Sequence, residues 1–251
     1  MSYSIELLIK DLILMAIAYC YVFATILIPV GLKKKDKISK YTARKIVHLF
    51  AGLVVVIVPY FNWTFFAIII AGSLTILTYF SQKESKVKAL KDLYDSIGEE
   101  AEEEKGYLQG PFNYCLSITI LVAIFAFFAP HQMYFPIAGI LIMIISDTLA
   151  SMVGRKIGKR KIKLSWTGSE RTLEGSSAFF ISAFLLCLFS FSFFGIINPI
   201  NQNPLTLETA LLYSLITSAL ATLIELISPS TWDDLTVPIA TTIIIFLLTL
   251  V

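Results

Sequence analysis

Charge is scarce in this 251-residue sequence: Asp, Glu, Lys and Arg make up 15% of it, against 57% hydrophobic residues. A soluble domain carries about a quarter charged residues, so the deficit excludes an ordinary water-facing surface. The formal net charge is only +2, which gives nucleic-acid binding no electrostatic footing. Cysteine is scarce as well. Cys20, Cys115 and Cys187 each stand alone in an apolar run, with no C-x-x-C pair. Neither a zinc site nor a thiol redox motif is supported, and the three read as small apolar packing residues. No G-x-x-x-x-G-K-[ST] loop occurs, which excludes a P-loop nucleotide site. The protein-kinase motifs are missing too. The amino-terminal stretch has no basic flank and no small-residue cleavage site, and it contains Glu6 and Asp11. The first apolar segment is therefore expected to be retained, not removed as a signal peptide.

Long apolar runs fill most of the chain. A spanning helix needs about 20 apolar residues, and eight segments qualify as candidates: 12–32, 46–61, 63–80, 112–129, 133–153, 175–199, 208–227 and 235–251. The second and third are separated only by Asn62 and read as a tight helical hairpin with Pro59 near its turn. The expected fold is all-α: a polytopic membrane helix bundle of about eight transmembrane helices, forming one domain over residues 1–251. Of the 20 basic residues, 19 lie in the loops 31–45, 81–111 and 154–174, and the intervening loops carry none. With eight spans these three loops share one side. The positive-inside rule makes that side cytoplasmic and puts both termini outside. The loop 81–111 mixes lysines with Asp92, Asp95, Glu99, Glu100, Glu102, Glu103 and Glu104 and reads as a solvated amphipathic helix.

Ionisable groups at membrane depth are costly and mark function. His48 falls about one turn into the second span, and Asp147 falls roughly 9 Å from the cytoplasmic end of the fifth by helical rise. Glu225 ends the seventh span, Glu174 precedes the sixth, and Asp233 and Asp234 precede the eighth. All six sit towards one side. A transporter path is expected to reach both sides, so a one-sided cluster favours an enzyme that draws a soluble substrate from the cytosol, with its active site at the cytoplasmic face.

The richest stretch runs from Ile145 to Ser176. On a helix Asp147, Ser151, Gly154 and Gly158 fall close to one face, where small residues admit another backbone or a phosphate. A basic cluster follows, including Lys156 and Lys159, and then Arg171, Thr172, Glu174 and Gly175 open a new span. A helix start favours anions, and carboxylates beside cations suit a magnesium-bound polyphosphate. Bland readings stand beside each part: helix packing for the Gly154–Gly158 pair, a topology signal or anionic-lipid patch for the cations, and structural carboxylates at Asp147 and Glu174.

Four blocks resemble the polyprenol kinase family, which includes dolichol kinase, phytol kinase and CTP-dependent diacylglycerol kinase. They are Arg44-Lys45-Ile46-Val47-His48; Lys105-Gly106 through Gly110-Pro111; Asp147 through Gly158 with Arg171-Thr172 and Glu174-Gly175-Ser176; and Glu225, Ser228-Pro229 and Asp233-Asp234 through Pro238. The family commonly has Asp-Asn at the position of Asp233-Asp234. The resemblance implies transfer of the γ-phosphate of CTP, with Mg2+, to the hydroxyl of a membrane lipid alcohol. It casts Asp147, Glu174, Arg44 and His48 as catalytic. Ser151, Gly154, Lys156, Gly158, Lys159, Arg171, Thr172 and Gly175 are expected at the nucleotide, and Asp147, Glu174 and Asp233 at the metal. His48 as a structural hydrogen-bonder remains an alternative. Competing readings are a diacylglycerol kinase, a CDP-lipid synthase and, from another class, a lipid or ion transporter. No protein partner is predicted. The short chain suggests a prokaryotic plasma membrane, or the endoplasmic reticulum if the source is eukaryotic.

Overall fold

The computed structural model describes residues 4–99, 102, 104–168, 170–229 and 232–250. Glu100 and Glu103 of the acidic stretch, and Val251 at the end of the last expected span, lie outside them. The chain is all-α apart from one short hairpin. It forms two compact units, Met1–Thr119 and Ile120–Val251.

In the N-terminal unit, α1 (Ile5–Lys34) is followed by α2 (Lys40–Ala51), which tightens into a 3-10 stretch, Gly52–Tyr60, containing Pro59. Then come α3 (Phe65–Phe80), the short α4 (Lys88–Ile97) and the start of α5 (Gln109–Phe128). Capping chemistry sets the starts: Ser4 accepts from the Leu7 amide and Ser39 from the Thr42 amide, each satisfying a donor with no helical partner. The turn before α3 is held by a remote side chain. Asp11, fully buried in α1, accepts from the Asn62 amide and side chain at 2.9 Å each and from the Trp63 amide at 2.8 Å. Unsatisfied amides in a bilayer cost several kcal/mol each, so one carboxylate here ties the tight hairpin turn to the first helix. The amphipathic helix expected in the acidic stretch is α4, but its apolar face is not solvated. Leu93, Tyr94 and Ile97 pack with Val30, Ala43 and Leu108 in a buried cluster.

The C-terminal unit contains α6 (Tyr134–Leu141), a π-helical turn Ile142–Ser146 and α7 (Asp147–Ile157), which together make one continuous segment. Strands β1 (Lys161–Lys163) and β2 (Glu170–Thr172) pair antiparallel, with Ile162 opposite Arg171. After them come α8 (Leu173–Ser192) with a second π-turn Phe193–Ile197, α9 (Leu207–Ile227) and α10 (Asp233–Leu248). Every residue of α6 is buried. Phe135 and Phe191 meet edge-on at 5.4 Å, and Phe246 and Tyr213 pack against Phe135 at 5.8 and 5.7 Å. This aromatic core seats the segment that carries Asp147.

Among the described residues six helical segments are long and apolar enough to cross a membrane: Ile5–Lys34, Lys40–Tyr60, Gln109–Phe128, Tyr134–Ile157, Leu173–Ile197 and Leu207–Ile227. Protein buries 22–33% of the apolar window in five of them. Such surface requires an apolar solvent, so this is a membrane protein. All eight expected apolar segments are helical, and six of them are long and apolar enough to span by themselves. Both α3 and α10 have 16 residues, which at helical rise is about 24 Å against a hydrocarbon core of about 30 Å.

Candidate active site

In the C-terminal unit Asp147, Glu225, Asp233 and Asp234 line one small pocket together with Met143, Phe179 and Val237. Each carboxylate arrives for a local reason. Asp147 is the first residue after the π-turn Ile142–Ser146. A π-turn inserts an extra residue into the helical ladder, and such turns recur at functional sites. Glu225 lies in the last turn of α9, and Asp233 and Asp234 open α10, where a carboxylate complements the helix dipole.

One guanidinium serves this group. Arg171 on β2 pairs with Glu225 through Nε, donates to the Ser228 carbonyl at 2.9 Å and to the Leu226 carbonyl at 3.5 Å, and stands 3.6 Å from Asp233. Its side chain is 11% exposed and that of Glu225 is 9% exposed. Arg171 therefore satisfies the carboxy-terminal carbonyls of α9 while it offsets two carboxylates, so its charge faces protein groups. The other oxygen of Glu225, Oε2, is buried with no hydrogen-bond partner. An orphaned carboxylate oxygen beside three further carboxylates fits a cation. Among the described residues no three Asp, Glu, His or Cys side chains are close enough to cage an ion directly. Mg2+ keeps several waters and takes one or two protein carboxylates along with substrate phosphates, so an open carboxylate lining suits it.

The remaining expected residues of this unit surround the hairpin. Gly154, Gly158 and Gly175 pack around Thr172. A Cβ at Gly154 or Gly175 would meet Thr172 Oγ1 at 3.0 Å, and one at Gly158 would lie 2.6 Å from Thr172 Cγ2. Thr172 Oγ1 in turn accepts from the Gly175 amide at 3.1 Å as the N-cap of α8. The small residues thus let α7 and the start of α8 approach closely, and protein atoms fill that contact. Ser151 donates to the Thr148 carbonyl at 2.9 Å within its own helix. Glu174 accepts from the Arg160 amide at 3.3 Å and is not among the residues lining the carboxylate cavity. Lys156 and Lys159 are exposed on the turn leaving α7. In the exposed hairpin, hydrogen bonds from Lys161 and Lys163 hold the Glu170 carboxyl down to about 2.

Arg44 and His48 lie on α2, in the N-terminal unit. Arg44 Nε pairs with Glu99 at 3.1 Å and Nη1 with Glu102 at 2.8 Å. The His48 ring packs on Tyr114 at 4.8 Å, the Tyr114 hydroxyl donates to the His48 carbonyl at 2.9 Å, and His48 Nε2 is buried without a partner. Sequence reasoning noticed the depth of Glu225 and Asp234 but gave neither a site role. The available signal was a carboxylate placed inside an apolar run.

The chain is 28% identical over 230 residues to the probable chloroplastic phytol kinase of Triticum aestivum, covering 87% of this chain and 71% of that one. It is 27% identical over 241 residues to the phytol kinase of Synechocystis sp., covering 92% and 90%. Against the dolichol kinase of Saccharomyces cerevisiae it is 30% identical over 190 residues, covering 74% of this chain. These relatives, named dolichol kinase and phytol kinase and 27–30% identical over most of the chain, support a polyprenol kinase family. The chain spans about a third of the length of its dolichol kinase relative, at 34%. No family model matches the sequence, and no solved structure matches it. The four blocks that carry the resemblance divide between the units: Arg44 and His48 with the Gly106–Gly110 block in one, and all four carboxylates of the pocket in the other.

Proposed function

We propose that this chain is a CTP-dependent kinase for the hydroxyl of a membrane isoprenoid alcohol of the polyprenol, dolichol, phytol or geranylgeraniol type. The observation that carries the reading is the cavity lined by Asp147, Glu225, Asp233 and Asp234 beside the buried Arg171, in a chain whose relatives are named dolichol and phytol kinases.

The alcohol oxygen attacks the γ-phosphorus, the bond to the β-phosphate oxygen breaks, and CDP leaves. The alcohol proton passes to Asp147, half-buried at the start of its helix, whose carboxylate also faces the ion. Asp147 and Asp233 would hold Mg2+, with Glu225 and Asp234 adjacent. Magnesium, when bound, neutralises charge on the β- and γ-phosphate oxygens. Lys156 and Lys159 offset phosphate charge from the exposed turn, and Glu174 orders that turn through the Arg160 amide. Arg171 acts on the carboxylates themselves, keeping them from repelling one another. Arg44 and His48 are catalytic candidates through the family's first block. The whole chain is read as one functional domain that crosses the membrane eight times, counting α3 and α10, with both termini outside. The clustering of 19 of the 20 basic residues in three loops supports a cytoplasmic active face, where CTP is available. A prokaryotic plasma membrane is the proposed location.

The test uses purified full-length protein with Mg2+, γ-labelled CTP or ATP, and a panel of geranylgeraniol, phytol, a dolichol and diacylglycerol. Label entering an isoprenoid monophosphate from CTP is expected. Transfer only to diacylglycerol, or only from ATP, overturns the corresponding half of the proposal.

A further inference from the structure

The N-terminal unit holds a buried carboxylate that the reaction above does not use. Glu102 is 5% exposed, and both of its oxygens are engaged. Oε2 accepts from Arg44 Nη1 at 2.8 Å and from the Glu99 amide at 2.9 Å, and Oε1 accepts from the Gly110 amide at 2.7 Å. The Gly106 amide donates to the Glu102 carbonyl at 3.0 Å across a turn that needs the left-handed conformation of Gly106, φ 72°. Only a residue without a Cβ takes that conformation freely. At Gly110 a Cβ would strike Arg44 Nη2 and lie 3.2 Å from Glu102 Oε1. The two glycines of the Lys105–Pro111 block thus have one purpose between them: they let this carboxylate and this guanidinium meet at the start of α5.

Arg44 is correspondingly fixed. Nε faces Glu99 at 3.1 Å, and Nη1 also donates to the Ile97 carbonyl at 3.2 Å. The Nη2 edge makes no hydrogen bond to the described residues, and the side chain keeps 18% exposure. A guanidinium held along two sides presents its remaining donors in a single direction, and a planar fork oriented in advance suits an anionic oxygen.

We propose that Glu102 is a positioning residue: by holding Arg44 Nη1 and the Gly110 amide together, it fixes the Nη2 edge of Arg44 for the reaction. The proposal rests on the assignment of Arg44 as a catalytic candidate. Glu102 itself touches no substrate. It acts through Arg44, so its loss and the loss of Arg44 are not independent.

The experiment compares Glu102→Gln, Glu102→Asp, Arg44→Ala and the double variant Glu102→Gln/Arg44→Ala as full-length protein in detergent, each with its thermal transition measured. Two readouts are taken: steady-state transfer from labelled CTP to the preferred alcohol, and the rate at which phenylglyoxal modifies Arg44, followed by peptide mass spectrometry. Glu102→Gln should lower kcat by about 100-fold, the scale of a misplacement of about 1 Å at a reacting centre, and leave KM for the alcohol within about threefold of wild type. Arg44→Ala should fall as far, and the double variant no further. Glu102→Asp keeps the charge and should recover part of kcat. Arg44 in Glu102→Gln should be modified faster than in wild type. Multiplying losses in the double variant, or an unchanged phenylglyoxal rate, would overturn the positioning role. If Glu102→Gln does not fold, the same two criteria apply to Glu102→Asp. Wild-type protein that phosphorylates no alcohol would instead refute the proposed function, while the phenylglyoxal comparison still decides whether Glu102 orders Arg44.

Discussion

Replacing Arg171 with methionine removes a buried charge from a nest of carboxylates. Arg171 meets Glu225 through Nε, caps the Ser228 carbonyl at 2.9 Å and stands 3.6 Å from Asp233, with both members of the main pair about nine-tenths buried. Taking one partner from a buried ion pair costs about 3–5 kcal/mol, because the other charge stays desolvated and alone. For a chain of this size that corresponds to a fall of about 6–20 °C in the thermal transition. The double variant Arg171→Met/Glu225→Met should behave differently. Exchanging both charges for apolar side chains of similar volume is neutral or stabilising in many proteins, so it should recover to within about 2 kcal/mol of wild type, with the carbonyls of Leu226 and Ser228 left to other donors. Activity should not recover, because the cavity has lost a carboxylate. Thermal unfolding in detergent, with transfer assayed on the same samples, reads both quantities. A single variant as stable as wild type, or a double variant as unstable as the single, would refute this account of Arg171.

Other perturbations have equally definite outcomes. Asp147→Asn should keep the wild-type thermal transition and lose transfer by about 100-fold or more; undiminished turnover in a folded variant removes Asp147 from the mechanism. Asp11→Ala strips three hydrogen bonds from the Asn62–Trp63 turn before α3 and should destabilise the N-terminal unit by about 3 kcal/mol or more, read as a lowered thermal transition. Gly175→Ala places a methyl 3.0 Å from both Thr172 Oγ1 and the Ala150 carbonyl and should cost about 1–3 kcal/mol by the same measurement. The Glu170 carboxyl is held down to about 2, below its ordinary 4.5, by Lys161 and Lys163. Its support of the hairpin is therefore full above pH 4.5 and is lost as pH falls towards 2. Amide exchange in Lys161–Lys163 should accelerate relative to the helices over that window, and an unchanged ratio would contradict the contact.

Much of the molecule is legible in its sequence because lipid imposes simple rules. Eight apolar runs were expected and eight helices occur at those places, since a bilayer forces backbone groups to pair within each segment. The count of long spans was less legible. The second and third segments are separated by residues 61–64, and Asp11 holds that turn through the Asn62 and Trp63 amides from about 50 residues away. The depth of Asp147 and Glu225 was readable as ionisable groups in apolar runs. Their convergence was not, because the pairing of Arg171 with Glu225 joins residues 54 apart in sequence with no local spacing to announce it. The resemblance put Arg171 with the nucleotide-binding residues, and its guanidinium faces Glu225, Asp233 and the Ser228 carbonyl. The Gly154–Gly158 spacing was equally compatible with a phosphate or with another helix, and the contact with Thr172 and Gly175 fills it with protein. Glu102 was indistinguishable by pattern from the exposed Asp95, Glu99 and Glu104. Only the fold shows that Gly106 and Gly110 shape the chain around it.

The most direct test of the central claim is to supply the protein with Mg2+ and an isoprenoid alcohol and to run α-labelled and γ-labelled CTP in parallel. A kinase places the γ label in the lipid monophosphate and leaves the α label in CDP, and this is the predicted result. No γ label in the alcohol, with the α label instead entering an added lipid phosphate and the γ label released as pyrophosphate, would contradict it and identify a CDP-lipid synthase.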